Sequence, residues 1–486
     1  MALNKSFDAI IVGGGHNGLV CAFYLAQAGM KTCILERSNK VGGAAITEEF
    51  HPGFSNSVAS YTVSLLQPKI IKDMKLERFG LKIVLRKIDN FLPLSDGYLL
   101  AGRGGLTRKE IARHSKKDAA NLGAYEAVLQ RVVECIRQLI LVAPPNAGGG
   151  IGDLLALLKI GSVINKLDVH TQGDLLDFFT KSAGEILEQY FENETVKALF
   201  GFDAVVGHFA SPYEPGSAYV LLHHVFGETN GIKGAWGHAI GGMGSITQAM
   251  AKSCAAQGVE IFTDVIVEKI KEDGKKTKRV ETTKGIFSAS IICASVHPKI
   301  LYEKLLDKNA VGEKTLKKIS NYKSHSGTFR MNVALDRLPK FINAPAGEDY
   351  LTAGIIIAPT LEYMDKAWLS ARKNGWSEKP VIEMLIPSTL DETLAPKGKY
   401  VASLFCQQFS FELPDGRKWE DEREIAADHI IASVEKYAPG FAISILGRQV
   451  LSPWDLQEKF ALIGGDIFHG RMSLDQLFSA RPILGN

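Results

Sequence analysis

The chain carries only six cysteines in 486 residues: Cys21, Cys33, Cys135, Cys254, Cys293 and Cys406. They stand singly, mostly inside apolar runs, with no C-x-x-C pair. That pattern excludes a disulfide scaffold and a dithiol redox centre, and reads as reduced core thiols. An excess of one charge sign is also lacking: 56 Lys+Arg against 53 Asp+Glu leave a net +3 spread along the whole length. No basic footprint for nucleic acid is formed. No apolar run reaches the ~18 to 20 residues needed to cross a bilayer. Nor does a charged segment followed by an apolar stretch open the chain, so the expected location is the cytoplasm. H-E-x-x-H, Cys/His clusters and G-x-S-x-G are missing, which argues against a metal centre and against acyl-transfer hydrolysis. Repeats of fixed period and low-complexity tracts are not found either.

What is present is the composition of a globular protein, with 46% hydrophobic residues, 22% charged residues and 47 glycines. At roughly 100 to 200 residues per domain, this length predicts two to four structural units. Residues 7–12 (FDAIIV) read as a buried parallel strand ending at Gly13-Gly14-Gly15. Residues 17–28 have helical periodicity, with Gly29 at the C-terminal cap. Residues 31–36 (KTCILE) form a second strand, which completes a βαβ unit. Further on, residues 259–293 alternate over strand lengths between Asp273-Gly274 and Lys284-Gly285 turns, behind a helix expected at 245–257. Residues 108–200 and 300–440 carry the longest helical patterns, including 124–142 and 423–437, and read as a mixed domain inserted into the first.

The chemistry-bearing motif is Gly13-x-Gly15-x-x-Gly18 between strand and helix, with Glu36 closing the next strand. Gly13 permits the tight turn, Gly15 lets backbone N–H groups reach a pyrophosphate, and Gly18 packs helix on strand. The helix N-terminus adds a positive dipole, and Glu36 accepts from a ribose diol. FAD and NAD share this fingerprint. Past Glu36-Arg37, a second glycine pair, Gly42-Gly43, followed by Ala44-Ala45, turns the chain back beside the ribose. That suits an extended ligand such as FAD better than NAD(P) alone.

At these residues the sequence resembles a known family. D-A-I-I-V-G-G-G-H-N-G, L-E-R-x4-G-G-A-A-x-T-E-E, P-G-F-S-N-S and G-A-W-G-H-A-I-G-G-M-G-S-I are similar to the phytoene desaturase and carotenoid isomerase superfamily of FAD-dependent oxidoreductases. Residues 321–336 and the block 464–482 (GGDIFHGRMSLDQLFSARP) resemble most its pyridine nucleotide-disulfide oxidoreductase domain-containing protein 2 branch. The resemblance implies FAD and a Rossmann-like α/β FAD-binding fold of the glutathione-reductase/amine-oxidase type with an inserted mixed α+β substrate domain. The cofactor domain is expected from 1–90, 215–297 and 445–486, and the substrate domain from 91–214 and 298–444. By matching positions, the resemblance places Gly13, Gly14, Gly15 and Gly18 at the pyrophosphate and Glu36 at the adenosine ribose. Arg37, Gly43 and Ala44 fall on the nearby cofactor backbone and Val267 at the adenine. Relatives continue past the R-P block with an apolar strand and a glycine-rich segment, whereas this chain reads Ile483-Leu484-Gly485-Asn486. The expectation is a site that binds FAD weakly or is completed in another way.

Trp236, His238 and Met243 flank the Gly241-Gly242 turn and are candidates for the substrate cavity. The adjacent His223-His224 point different ways and are not a metal site. His469, Asp466 and Asp475 are read as structural polar groups near the flavin entrance. Gly148-Gly149-Gly150-Ile151-Gly152 follows prolines and reads as a loop, and residues 274–279 as a solvated basic turn. The apolar helices 128–142 and 151–164 are ordinary core elements or a surface that touches a membrane. The expected activity is FAD-dependent desaturation or isomerisation of an apolar, polyene or acyl-like small molecule. The alternative is a non-catalytic binding or regulatory protein that keeps the fold. The sequence names no catalytic base.

Overall fold

A computed structural model describes residues 3–146, 149–273 and 277–483. Gly148 of the glycine run, Gly274-Lys275-Lys276 of the basic turn and Leu484-Gly485-Asn486 lie outside the described residues. The first strand, Leu3–Val12, pairs in parallel with Thr32–Leu35 on one side and with Gly285–Ala294 on the other. Glu260–Phe262 extends the sheet beyond Thr32–Leu35 in parallel, and Thr277–Thr282 and Val267–Asp273 extend the opposite edge antiparallel, giving six strands. Both faces of the central strands are covered, which is why they read as unbroken apolar runs. Ile11 and Ile34 pack with Leu19 and Phe23 of helix His16–Gln27 and with Ile246 and Met250 of helix Met243–Ala256. Ile10, Val12, Cys33 and Leu35 pack the other face with Phe287. The segment 285–294 is one continuous ten-residue strand.

A second, seven-stranded sheet has the order Ile445–Leu451, Phe329–Leu335, Tyr400–Phe409, Trp376–Leu385, Gly354–Ile357, Asn90–Pro93 and Tyr98–Ala101. It is antiparallel apart from the pairing of Gly354–Ile357 with Asn90–Pro93. One face buries Ile382, Leu404 and Phe329 against helix Trp419–Glu435. The other packs Phe405, Val381 and Ile356 against the helices between residues 106 and 224. Strand Ile445–Leu451, grouped above with the cofactor domain, hydrogen-bonds to Phe329–Leu335 and so belongs to this second sheet.

Two helices depart from the sequence expectation. The helix expected at 124–142 begins at Lys116, because Ser115 Oγ accepts the Asp118 N–H at 3.1 Å and caps it there. Helix Ile151–Asn165 buries none of its residues. Among the described residues no helix is long and apolar enough to cross a membrane.

Candidate cofactor site

The glycine-rich turn joins the first strand to the first helix, and each glycine is required for a different reason. Gly13 has φ +100° and donates its N–H to Leu35 O at 2.9 Å, and a Cβ there would lie 2.9 Å from Ser295 O. A Cβ on Gly18 would collide with the Gly13 carbonyl, so the helix approaches the strand only because both are glycine. Gly14 is clamped by Glu36, whose Oε2 accepts its N–H at 2.7 Å. Gly15 alone looks onto open space: its Cβ would meet nothing nearer than Gly43 Cα at 4.0 Å. As the N-cap it offers no side chain to the helix. The first N–H groups of the helix therefore point at the space a phosphate fills.

Glu36 is buried, and its two oxygens hold the loop on both sides, Oε2 through Gly14 N–H and Oε1 through Ser38 N–H at 2.8 Å. Each carboxylate oxygen accepts more than one hydrogen bond, so the pair retains acceptor capacity for a diol. Gly43 (φ +57°) faces Gly15, its Cβ position 3.3 Å from Gly15 Cα, and Gly42 N–H donates to Gly14 O at 2.9 Å. The two glycine pairs thus form one cradle of bare backbone. Ala44 O accepts the Ser60 N–H at 3.1 Å. Val267 opens its strand opposite Thr282, next to the segment in which Val265 N–H donates to Glu36 O at 2.9 Å. Arg37 turns outward and donates to Lys459 O at 2.7 Å. The cradle, the uncapped helix and the buried acceptor fit the pyrophosphate and ribose of FAD.

A narrow crevice lined by Tyr61, Arg86, Gly237, His238 and Leu385 opens beside the second sheet. His16 and His469 are exposed, and Tyr61, Asp203, His223 and His325 are half-buried. The block 464–470 packs on the segment 322–326. Asp466 is buried and accepts the N–H groups of His325 and Phe468, each at 2.8 Å; burial raises its carboxyl to about 6. Asp475, in contrast, is at the surface. Burial pushes His469 and His325 down to about 4 and His223 to about 3. The His325 ring stacks on Phe209 at 4.2 Å, and His223 and His224 both meet Phe468 edge-on. Of the three residues proposed from sequence for the cavity, Trp236 is half-buried beside His224. His238 lines a narrow gap with Tyr61 and Arg86 and bonds Asp391 at 3.0 Å. Burial alone would raise Asp391, but the bonds from His238, Thr393 and Gly241 N–H outweigh it and bring the carboxyl down to about 2. Met243 packs into the core beneath the first sheet.

The residues that sequence reasoning missed lie on the crevice face of the second sheet. Arg330 pairs across to Phe405 and Phe405 to Glu383, so the three stand in a row on neighbouring strands. Tyr61 OH donates to Glu383 Oε2, and the Arg330 guanidinium lies 4.5 Å from the Tyr61 ring centre. A signal existed: Asp203, Arg330 and Glu383 are lone charges inside the apolar runs ALFGFDAVV, FRMNVAL and VIEMLI, and such charges are rarely buried without a partner or a purpose. The structure also brings together two cysteines that spacing does not pair. Cys21 meets Cys293 between the first helix and strand Gly285–Ala294, and burial, together with that neighbour, raises the Cys21 thiol to about 11, which makes it a poor nucleophile.

Comparison with known proteins places this geometry. The family model described as flavin containing amine oxidoreductase matches residues 18–329. The pyridine nucleotide-disulfide oxidoreductase domain-containing protein 2 of Rattus norvegicus is 38% identical over 99% of this chain and 87% of its own length. The lycopene-forming phytoene desaturase of Pseudescherichia vulneris is 24% identical over 97% of this chain and 91% of its own. Among solved structures, an oxidoreductase from Methanosarcina mazei superposes with a TM-score of 0.58 at 15% identity, over 92% of this chain and 88% of that one; at that identity the likeness shows the fold. The chain belongs to the flavin containing amine oxidoreductase family and is an FAD-dependent oxidoreductase.

Proposed function

We propose that the protein removes or relocates hydrogen on an apolar, polyene or acyl-like substrate, in the manner of a desaturase or isomerase. The observation that carries this reading is a wall rich in neutral imidazoles and aromatic rings. Its imidazoles are held neutral at pH 7 by burial and its remaining wall includes Phe209, Phe468 and Trp236. Such a wall solvates a hydrocarbon chain and excludes water from the reacting centre. The likeness to a phytoene desaturase over nearly the whole chain points the same way.

FAD, when bound, supplies the acceptor for a hydride. The chain's own groups would hold it: Gly13, Gly14, Gly15 and Gly18 shape the bare turn whose first free helical N–H groups would meet the pyrophosphate, Glu36 would meet the ribose, and Gly43, Ala44 and Val267 would shape the flanking walls. Arg37 acts through the terminal block rather than on the cofactor. The cofactor domain comprises the described residues of 1–90, 215–297 and 452–483, and the remainder, including strand Ile445–Leu451, orients the substrate. Delivery from a lipid surface completes the reading. Helix Ile151–Asn165 turns Ile151, Leu154, Leu155 and Leu158 outward at 79%, 56%, 61% and 61% exposure, beside Leu141 at 63%, an apolar patch that lies naturally in a headgroup layer.

The test is the visible spectrum of the freshly purified protein, followed by anaerobic addition of polyenes and long-chain acyl lipids. Flavin bands that bleach with one of these lipids are expected. A protein that binds FAD but bleaches only with polar amines overturns the substrate reading, and one that takes up no FAD overturns the function as a whole.

A further inference from the structure

Between residues 69 and 82 stand five cations, Lys69, Lys72, Lys75, Arg78 and Lys82, against two carboxylates, Asp73 and Glu77. The near-neutral balance of the whole chain conceals this local excess. The segment lies on the outer side of the cofactor domain: Met74, Leu76 and Leu81 pack with Leu19 and Met250 in the core beneath the first sheet, and Met74 O accepts the Ser253 hydroxyl at 2.7 Å. It forms one wall of a groove of about 600 Å³, within the ~300–1,000 Å³ of small-molecule sites. Ile71, Leu81 and Ile83 give the groove an apolar lining, and Lys72, Lys75 and Arg78 bring three cations to it against Glu77 and Glu228. Those three cations are exposed and form no ion pair and no side-chain hydrogen bond among the described residues. Asp73, the carboxylate beside them, is taken by Lys69 and by the Tyr24 hydroxyl. Lys75 also has φ +52°, a region that disfavours side chains; a residue that served only the turn there would be glycine or asparagine.

The opposite wall is the hairpin that pairs Glu228 with Lys233 and Thr229 with Ile232. Asn230 Nδ2 donates to Ile83 O at 3.0 Å, and Glu228 N–H donates to Ser64 O at 3.0 Å. On its far side Lys233 pairs with Glu134 at 2.9 Å, and Arg137 donates to Phe226 O at 3.1 Å. Both Glu134 and Arg137 belong to the end of helix Lys116–Leu139, against which helix Ile151–Asn165 packs. Along this series of anchored segments Leu65, Ile232, Ile140 and Leu141 are all exposed. Cations without partners beside apolar side chains without cover suit a charged headgroup layer and its acyl boundary together. A nucleic-acid surface has the first and no use for the second.

We propose that this groove, with the hairpin beside it, is a membrane-docking site that takes the phosphate headgroup of an anionic phospholipid. Lys72, Lys75 and Arg78 pair with the phosphate, and Ile71, Leu81 and Ile83 meet the glycerol and the first acyl carbons. The proposal rests on the lipid-delivery reading above and names the surface and the lipid charge that it needs.

Co-sedimentation of the full chain with vesicles tests this, using phosphatidylcholine alone and phosphatidylcholine with one fifth replaced by phosphatidylglycerol. Wild type is compared with a triple variant, Lys72→Gln, Lys75→Gln and Arg78→Gln, and with a control that removes the same charge elsewhere, Lys308→Gln, Lys314→Gln and Lys317→Gln. All six side chains are exposed. Wild type is expected to bind more tightly when phosphatidylglycerol is present, and to lose that gain at about 1 M salt, where the Debye length is ~3 Å. The triple variant loses it at any salt, about fivefold per cation and about a hundredfold in all, while the control keeps it. A gain that is absent in wild type, persists in high salt, survives the triple variant or falls equally in the control overturns the proposal. Should the triple variant not fold, the salt dependence in wild type decides. Binding to phosphatidylcholine with no gain from phosphatidylglycerol overturns the groove and leaves delivery through the apolar helix standing; binding to neither overturns both. Wild type that binds duplex DNA and not the vesicles would assign the cations to a polyanion and overturn the lipid.

Discussion

The two sheets of this molecule carry function in different ways. Around the first, the cofactor cradle is built almost wholly from backbone: Gly13 to Gly18, Gly42 and Gly43 lie within about thirty residues, and one carboxylate, Glu36, ties the loop together. On the second, the polar groups are side chains, Tyr61, Arg330 and Glu383, separated by up to 322 residues in the Tyr61–Glu383 bond. A backbone cradle tolerates no added atom, whereas a side-chain constellation tolerates shape changes and fails when a charge is left uncompensated. The contrast predicts which substitutions break folding, which break cofactor binding and which break neither.

The largest effect is expected at Gly18→Ala. The new methyl meets the Gly13 carbonyl, a backbone atom that cannot swing aside, so the helix must lift off the strand. A loss of about 3 kcal/mol or more is expected, together with loss of FAD, read by denaturant unfolding and by flavin retention on a desalting column. Equal stability in variant and wild type would show that the close approach is not obligatory. Gly29→Ala is a useful contrast: no atom lies within 4 Å of its Cβ position, and only its φ of +88° resists substitution.

Acidity separates the two halves next. His208, His224 and His297 are buried, and burial brings them to about 3, 4 and 3. Unfolded, each binds a proton below its ordinary value of 6.5 that it refuses when folded. Stability therefore falls as pH drops from about 6.5 toward 4, by up to ~1.4 kcal/mol per pH unit for each group. Asp203 and Asp466, raised to about 7 and 6, act in the opposite sense. The folded chain keeps protons that the unfolded chain has already lost, so the stability they confer is present at low pH and is lost as pH rises through 6 to 7. Denaturant midpoints at pH 5, 6.5 and 8 should be highest near 6.5, and Asp203→Asn should raise the midpoint at pH 8 and leave it unchanged at pH 4. An Asp203→Asn effect that is the same at both pH values would sink this account.

Glu36→Gln sharpens the comparison from the cofactor side. The amide presents one acceptor oxygen where the carboxylate presents two, so either Gly14 N–H or Ser38 N–H loses a charge-assisted bond worth roughly 1.5–3 kcal/mol. FAD affinity should drop by about ten- to a hundredfold, measured by fluorescence quenching on titration into apo-protein.

Legibility in the sequence follows the same division. The strand–glycine–helix–strand–carboxylate series is local, each residue placed by its neighbours, and so the cradle was readable from Phe7 to Ala45. The bond from Arg37 to Lys459 O was not legible, because the two residues are 422 apart. Strand Ile445–Leu451 was placed with the wrong sheet because register with Phe329–Leu335 is a tertiary fact. Asp203, Arg330 and Glu383 have no mutual spacing. Only their isolation in apolar runs marked them, and isolation gives burial without saying what faces what.

The smallest effect on stability, and a sharp one on behaviour, is expected at helix Ile151–Asn165. None of its residues is buried, so Leu155→Glu with Leu158→Glu removes no packing and should alter unfolding by no more than ~0.5 kcal/mol. Buried helices offer no such freedom: Leu19 and Phe23 of the first helix sit in the core, and the same exchange there would leave an unpaired charge among apolar side chains. If the exposed leucines serve a lipid surface, the double variant should lose co-sedimentation with phosphatidylcholine vesicles while keeping its flavin spectrum. Wild type that fails to sediment with vesicles, or a variant that sediments as well as wild type, would remove the lipid surface from the account and leave the cofactor cradle as it is, because none of the residues of this helix is buried.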